Sequence, residues 1–210
     1  MTRKVYVVGN QFDIKRMFES VKDYEIIYEP NDADIIVLPG GYDVNPELYG
    51  QKKLQGTNIN PIDDSRDMKF FDLGKKEGKL LVGICRGGQF LNVANGGLMW
   101  QHVNNHTANH LLIDLVEEKT FTVTSTHHQM MRPSEKGEVL AIAKESSTWI
   151  DDELNLRSKT PQNRSEECPE FDTEVVWYKD TRSLCFQPHP EFIRAESTKQ
   201  YFFDLLNMVY

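Results

Sequence analysis

Cysteine is scarce in this chain of 210 residues: Cys85, Cys168 and Cys185 are all there is, odd in number and widely spaced. Such a set builds no disulfide framework, so the fold must rest on a buried core. No apolar run approaches the ~18 residues that a membrane-spanning helix needs. The opening Met1-Thr2-Arg3-Lys4-Val5 leads straight into a strand-like segment and lacks the long apolar stretch of a signal peptide. Positive charge is also in short supply, with 24 Lys and Arg against 32 Asp and Glu and a net charge of −8. That balance excludes a general phosphate-backbone binder. Neither an internal repeat nor a low-complexity tract is present. Apolar residues, at 39 %, suffice for a sizeable core. The expectation is a cytoplasmic protein of one domain, residues 1–210, with no nucleic-acid or membrane partner.

Strand-like and helix-like segments alternate in the first half. Lys4–Val8 is a β-branched run, and an amphipathic stretch from Phe12 to Val21 follows it. Glu25–Tyr28 and Ile35–Leu38 read as further buried strands, the second closed by Pro39-Gly40-Gly41. Residues 42–64 lack periodicity and read as a long surface loop. Ser65 is placed to cap the next helix and Gly78 to end it. Leu80–Ile84 is then a strongly apolar strand and Arg86–Ala94 a helix. This alternation predicts an α/β fold with a mainly parallel sheet. The second half is richer in strands: Leu111–Val116, Phe121–Thr124, Val139–Ala143, Glu174–Tyr178 and Leu184–Phe186, before a helix from about Glu191 to Met208. Residues 145–172 are acidic and polar and read as a solvated loop, with a lid or partner-docking role as the alternative.

Gly83-Ile84-Cys85-Arg86-Gly87 has the form of a nucleophile elbow, with small residues two before and two after a nucleophile between a strand and a helix. At a helix N-terminus a thiolate gains from the dipole and the free N–H groups. Pro188-His189-Pro190-Glu191 follows the strand Leu184–Phe186 and offers a base, His189, with Glu191 to orient it. Both segments leave strand ends, where ligands bind in open α/β sheets. The backbone N–H groups of Arg86 and Gly41 can serve as an oxyanion hole.

Gly83-Ile84-Cys85-Arg86-Gly87-Gly88-Gln89, with Asn92-Val93-Ala94 and Gly96-Gly97 behind it, resembles the class I glutamine amidotransferase superfamily. It is most similar to the γ-glutamyl hydrolase-like branch, peptidase C26, which includes γ-glutamyl-γ-aminobutyrate hydrolases. Pro39–Pro46 with Tyr49-Gly50, Arg66-Asp67, Gln101 and Ser125-Thr126-His127-His128-Gln129 agree with that branch. The resemblance implies a single doubly wound, flavodoxin-like sheet flanked by helices. It implies a Cys85–His189–Glu191 triad attacking a γ-glutamyl amide by way of a thioester. Gly40, Gln89, Ser125, Thr126 and His127 would then bind the glutamyl group, and the Arg86 side chain could meet an anionic part of the substrate. Three departures stand out: Phe70 where the branch usually has glutamate, Pro188 in place of an aromatic before His189, and little sequence between Gln101 and Ser125.

The expected function is a stand-alone cysteine hydrolase of a small γ-glutamyl substrate, since no acceptor domain is appended. A glutaminase subunit passing ammonia to a separate synthetase or ligase is the alternative. A catalytically silent binding protein is a third reading, against which the intact Cys85, His189 and Glu191 speak. No cofactor is expected. His102, His106 and His110 recur every four residues and could be drawn as a metal-binding helical face. The asparagines between them make a poor helix and no H-E-x-x-H frame is present, so a polar loop and no metal are expected. Cys185 reads as core and Cys168 as a bystander.

Overall fold

The computed structural model describes residues 2–145, 148–150, 155–157 and 171–210. In the first half, β1 (Arg3–Val7), α1 (Phe12–Glu19), β2 (Tyr24–Ile26), β3 (Ile35–Leu38), α2 (Pro61–Glu77), β4 (Leu80–Ile84) and α3 (Arg86–Ala94) follow one another. Eight short or edge strands come next: β5 (Leu98–Trp100), β6 (His102–Val103), β7 (His110–Asp114), β8 (Thr120–Val123), β9 (Met130–Arg132), β10 (Glu138–Ala143), β11 (Thr148–Ile150) and β12 (Asn155–Arg157). The chain closes with β13 (Thr173–Tyr178), β14 (Ser183–Phe186) and α4 (Glu196–Val209).

Five strands pair in parallel in the order β2-β1-β3-β4-β14. This is the flavodoxin-like order, with β4 central and its carboxyl end at the crevice. The sheet continues antiparallel through β13, β10, β7 and β8, the strand-rich half that the sequence leads one to expect. Period-2 alternation divides the core between the faces. Ile35, Val37, Leu80, Val82, Ile84, Leu184 and Phe186 pack with Phe18 of α1 and Phe202 of α4. Ile36, Leu38, Leu81 and Cys185 point the other way, toward Phe71 of α2 and Phe90 of α3. Each large side chain so buried is worth about 1.5–3 kcal/mol. Cys185 is core, as expected; Cys168 lies outside the described residues.

Three local expectations need correction. Helix α2 starts at Pro61, earlier than Ser65 suggests, because Asn60 accepts from the Ile62 N–H (3.2 Å) and Pro61 supplies a pre-set first turn. Helix α4 starts at Glu196 and not near Glu191, so Glu191 stays in the turn after β14. Parts of the 145–172 segment are not a solvated loop. Trp149 of β11 is fully buried, stacks on Trp100 with ring centroids 5.0 Å apart, and donates from Nε1 to the buried Asp172 (2.6 Å). The rest of that acidic stretch lies outside the described residues. No helix among the described residues is long and apolar enough to cross a membrane.

Candidate active site

Cys85 is the N-cap of α3, with φ 51° and ψ −112°, a left-handed conformation that a non-glycine residue adopts only under constraint. The constraint is visible in its neighbours. A Cβ on Gly83 would lie 2.2 Å from the Gly87 carbonyl carbon, and one on Gly87 would lie 2.1 Å from Leu38 O. Small residues at these two positions let α3 start against β3 and β4 and lift the thiol above the sheet edge.

The imidazole of His189 meets the Cys85 thiol on one side and Glu191 on the other, with Nδ1 2.8 Å from Glu191 Oε1. Thr126 Oγ1 lies 3.0 Å from Nε2. The His189 backbone is pinned to the end of β8, its N–H donating to Thr124 O (3.2 Å) and its carbonyl accepting from Thr124 Oγ1 (2.5 Å). Burial pulls the His189 pKa down, but hydrogen bonds to Cys85 and Glu191 and their negative charge outweigh it and push the pKa up to about 10. The imidazolium is therefore the resting form near neutrality. Sequence reasoning names Cys85, His189 and Glu191; it does not foresee the Thr126 contact.

Gly40 and Gly41 border the same space. A Cβ on Gly40 would sit 3.4 Å from the His189 ring and 3.7 Å from Cys85 Cβ, and one on Gly41 3.6 Å from Arg86 Cδ. The Gly40–Gly41 backbone thus runs beside the Cys85 and His189 side chains. The Arg86 side chain, however, is not available to substrate. It is buried and forks between Asp64 and Asp67 of α2. Burial pushes the Asp64 carboxyl up, and the guanidinium offsets only part of this.

A cleft of about 490 Å³ opens over Cys85 and is lined by Gly40, Gly41, Gln89, Thr126, His127 and His128, among others. Gln89 is held by bonds from Nε2 to Gln187 Oε1 (3.1 Å) and Gln129 O (3.3 Å). At the rim, His128 Nε2 meets Asp43 Oδ1 at 3.1 Å. Ser125 departs from expectation. It does not line the cleft, and its hydroxyl donates to His106 O. His127 lines the cleft but turns its ring inward, Nδ1 donating to Gln129 O (2.8 Å). The family segment residue Gln101 is buried and pins the 51–57 loop, accepting from Leu54 N–H and Thr57 Oγ1, both at 3.1 Å.

The expected polar loop of His102, His106 and His110 is also corrected. His102 lies on β6 and stacks against His128, whereas His106 and His110 converge with His127 on Glu174 of β13. Burial favours a neutral Glu174, but the surrounding imidazoles hold its carboxyl well below the usual range. Burial likewise lowers the His106 pKa, yet the hydrogen bond to Asp172 and the nearby Glu174 carboxylate push it up to about 9. Burial keeps His127 down. The sequence hint is the His spacing; Glu174 and Asp172 give none.

Comparison with known proteins agrees with this architecture. The Peptidase C26 family model matches residues 30–114. A glutamine amidotransferase-like protein, the YvdE homologue of Lactococcus lactis subsp. cremoris, is 29 % identical over 140 residues, 57 % of this chain and 72 % of that one. The YvdE protein of Lactococcus lactis subsp. lactis, also glutamine amidotransferase-like, is 34 % identical over 113 residues, 52 % of this chain but only 44 % of its own length. The crystal structure of a GMP synthase-like subunit from Thermoplasma acidophilum superposes with a TM-score of 0.61 at 15 % identity, covering 100 % of this chain and 94 % of that one. At that identity the likeness is one of fold.

Proposed function

We propose that this chain, which belongs to the class I glutamine amidotransferase-like superfamily, is a cysteine hydrolase of γ-glutamyl amides. The observation that carries the reading is His189, held between the Cys85 thiol and Glu191 at the floor of a cleft at the carboxyl end of the parallel sheet.

In this reading His189 holds the proton that leaves the Cys85 thiol. The Cys85 sulfur attacks the γ-carbonyl carbon of the bound glutamyl group, and the carbonyl oxygen becomes an oxyanion. The backbone N–H groups of Arg86 and Gly41 stabilise that charge. His189 gives its proton to the leaving nitrogen, the C–N bond breaks, and ammonia or an amine departs. A γ-glutamyl thioester remains on Cys85. Water then attacks the thioester carbon while His189 takes its proton, and glutamate leaves as the C–S bond breaks. Glu191 keeps the imidazole in orientation throughout. Thr126, within bonding distance of Nε2, helps to place the ring, while Gly40, Gln89 and the cleft-facing part of His127 border the glutamyl group.

The Arg86 fork with Asp64 and Asp67 supports this arrangement indirectly. It ties the first turn of α3 to α2 and so fixes the elbow and the Arg86 N–H.

Incubation of the purified chain with glutamine and a panel of γ-glutamyl amines, with released glutamate measured, tests the proposal. Turnover of the panel without another protein is the expected result. A second reading keeps the same chemistry with a different acceptor: a glutaminase subunit, on the fold shared with the GMP synthase-like subunit. A glutaminase of that kind would release glutamate efficiently only when a synthetase is added.

A further inference from the structure

Behind the cleft, three imidazoles surround a single carboxylate oxygen. His106 Nδ1, His110 Nε2 and His127 Nε2 lie 3.2, 3.1 and 3.5 Å from Glu174 Oε1. All four side chains are at least nine-tenths buried. Each histidine uses its other nitrogen to donate outward. His106 Nε2 meets Asp172 Oδ2 at 2.8 Å, His127 Nδ1 meets Gln129 O at 2.8 Å, and His110 Nδ1 meets Ala108 O at 3.3 Å. Carbonyl and carboxylate oxygens only accept, so these outward nitrogens carry the protons. In their neutral forms His106 and His127 then point lone pairs at Glu174, whereas His110 Nε2 stands in hydrogen-bond geometry with Glu174 Oε1 at 3.1 Å. Among the described residues, His106 Nδ1, His127 Nε2 and Glu174 Oε2 have no hydrogen-bond partner although they are buried.

Buried imidazole nitrogens that converge on one carboxylate, two of them unpartnered, describe a place for a cation. We infer that His106, His110 and Glu174, whose ligand atoms lie within 4.8 Å of one another, form a binding site for a divalent transition metal of the zinc type, with His127 beside it. The nitrogen-to-oxygen spacings match the edge of about 3.3 Å of a tetrahedron whose corners stand ~2.0–2.1 Å from zinc. Imidazole and carboxylate donors suit zinc and its neighbours and not magnesium or calcium. Asp172 on His106, itself fixed by Trp149 Nε1, and the carbonyls on His127 and His110 are the outer contacts that orient metal-bound histidines. Charge also balances, because one divalent cation would neutralise the buried Glu174 and Asp172 in place of the protons that the imidazoles hold without it. An entry route exists, since His110 borders a surface cleft of about 570 Å³ with Asn105, Thr107 and Asn109. The ion would join β7 and β13 to the Ser125–Gln129 segment that borders the candidate active site. This inference stands independently of the hydrolase reading.

The test uses untagged full-length protein, dialysed against a chelator and then titrated with Co²⁺ alone. One equivalent should produce the intense visible bands of tetrahedral cobalt, Zn²⁺ should bleach them, and Zn²⁺ should raise Tm. Glu174→Gln and His106→Ala should lower affinity by roughly 100-fold or more, and Trp149→Phe by roughly 10-fold. His102→Ala and His128→Ala, which alter the stacked pair outside the cluster, should bind normally. If Glu174→Gln fails to fold, His110→Ala at the cleft edge replaces it. Folded wild-type protein that shows no tetrahedral bands and no metal-dependent Tm overturns the site. Loss of binding in the His102 or His128 variants instead of the cluster variants does so too.

Discussion

The ring of Phe192 lies flat against the imidazole of His189, centroids 4.3 Å apart and planes 11° from parallel. At position 188 a proline, not an aromatic, precedes the histidine, and Phe192, three residues after it, supplies a ring. Stacking against one face leaves His189 free to bond only at its edges, where Cys85, Thr126 and Glu191 wait. Phe192→Ala should lower kcat by roughly 10-fold, equivalent to about 1.4 kcal/mol, with less effect on KM. Steady-state kinetics on a γ-glutamyl substrate check this, and Phe192→Tyr should restore most of the rate. An unchanged kcat in the alanine variant would remove Phe192 from the site.

The imidazole and the carboxylate that orients it should differ in weight. His189→Ala removes the group that moves protons and should cost roughly 10²–10⁴-fold in kcat. Glu191→Gln keeps an acceptor for Nδ1–H and should cost less. Equal losses would contradict the division of roles between proton carrier and orienting group.

How these groups assemble is only partly legible in the sequence. Ile35–Leu38, Leu80–Ile84 and Arg86–Ala94 can be read there with their bounds intact, because long apolar runs closed by Pro-Gly-Gly or opened by a Gly-x-Cys-x-Gly turn carry strong local signals. Strands such as Met130–Arg132 and Thr148–Ile150 escape, since three residues are too few to show a period. Arg86 reads as a free cation because its partners, Asp64 and Asp67, lie about twenty positions upstream on another helix. The histidine cluster is hidden for a similar reason. His110 and Glu174 meet only because β7 and β13 flank β10 in the antiparallel half of the sheet.

The Arg86 fork yields a stability prediction. Arg86→Ala leaves the buried Asp64 without its cation and Asp67 with only the part-exposed Arg66 (2.9 Å), which costs about 3–5 kcal/mol. A fall in Tm of roughly 10 °C should follow for a chain of this size. Adding Asp64→Asn and Asp67→Asn to the Arg86 variant should recover part of the loss, since the uncompensated charge is then gone. Thermal denaturation of the single and triple variants decides this. A neutral Arg86→Ala would show that the fork does not stabilise the elbow.

The raised pKa of His189 makes stability depend on pH in a definite direction. Its folded value, about 10, lies above the ordinary 6.5, so folded protein binds this proton more tightly than unfolded protein. The resulting stabilisation is complete below about pH 6.5 and is lost as pH rises toward about 10. The Tm advantage of wild type over His189→Gln should therefore be largest near pH 6 and shrink steadily toward about pH 10. An advantage that grows with pH would mean that His189 is neutral in the folded protein.

The covalent step offers the sharpest test of the nucleophile. If Cys85 attacks a γ-carbonyl, a glutamine analogue with an electrophilic carbon at the amide position should alkylate the chain once, at Cys85. Cys185 should stay unmodified, because it is fully buried in the core and burial pushes its thiol well above the ordinary range. Cys168 has no sequence feature of an elbow or a histidine partner and should also be spared. His189→Ala should slow labelling without changing which cysteine reacts, since the imidazolium that stabilises the thiolate is gone. Cys85→Ala should keep its fold, because the side chain stands at a turn and contributes little packing, yet it should lose both labelling and turnover. Intact-mass and peptide-mass analysis reads the site and stoichiometry directly. Label on Cys168 or Cys185, or none on a folded wild-type chain, would dismiss Cys85 as the nucleophile and leave the fold serving a binding role.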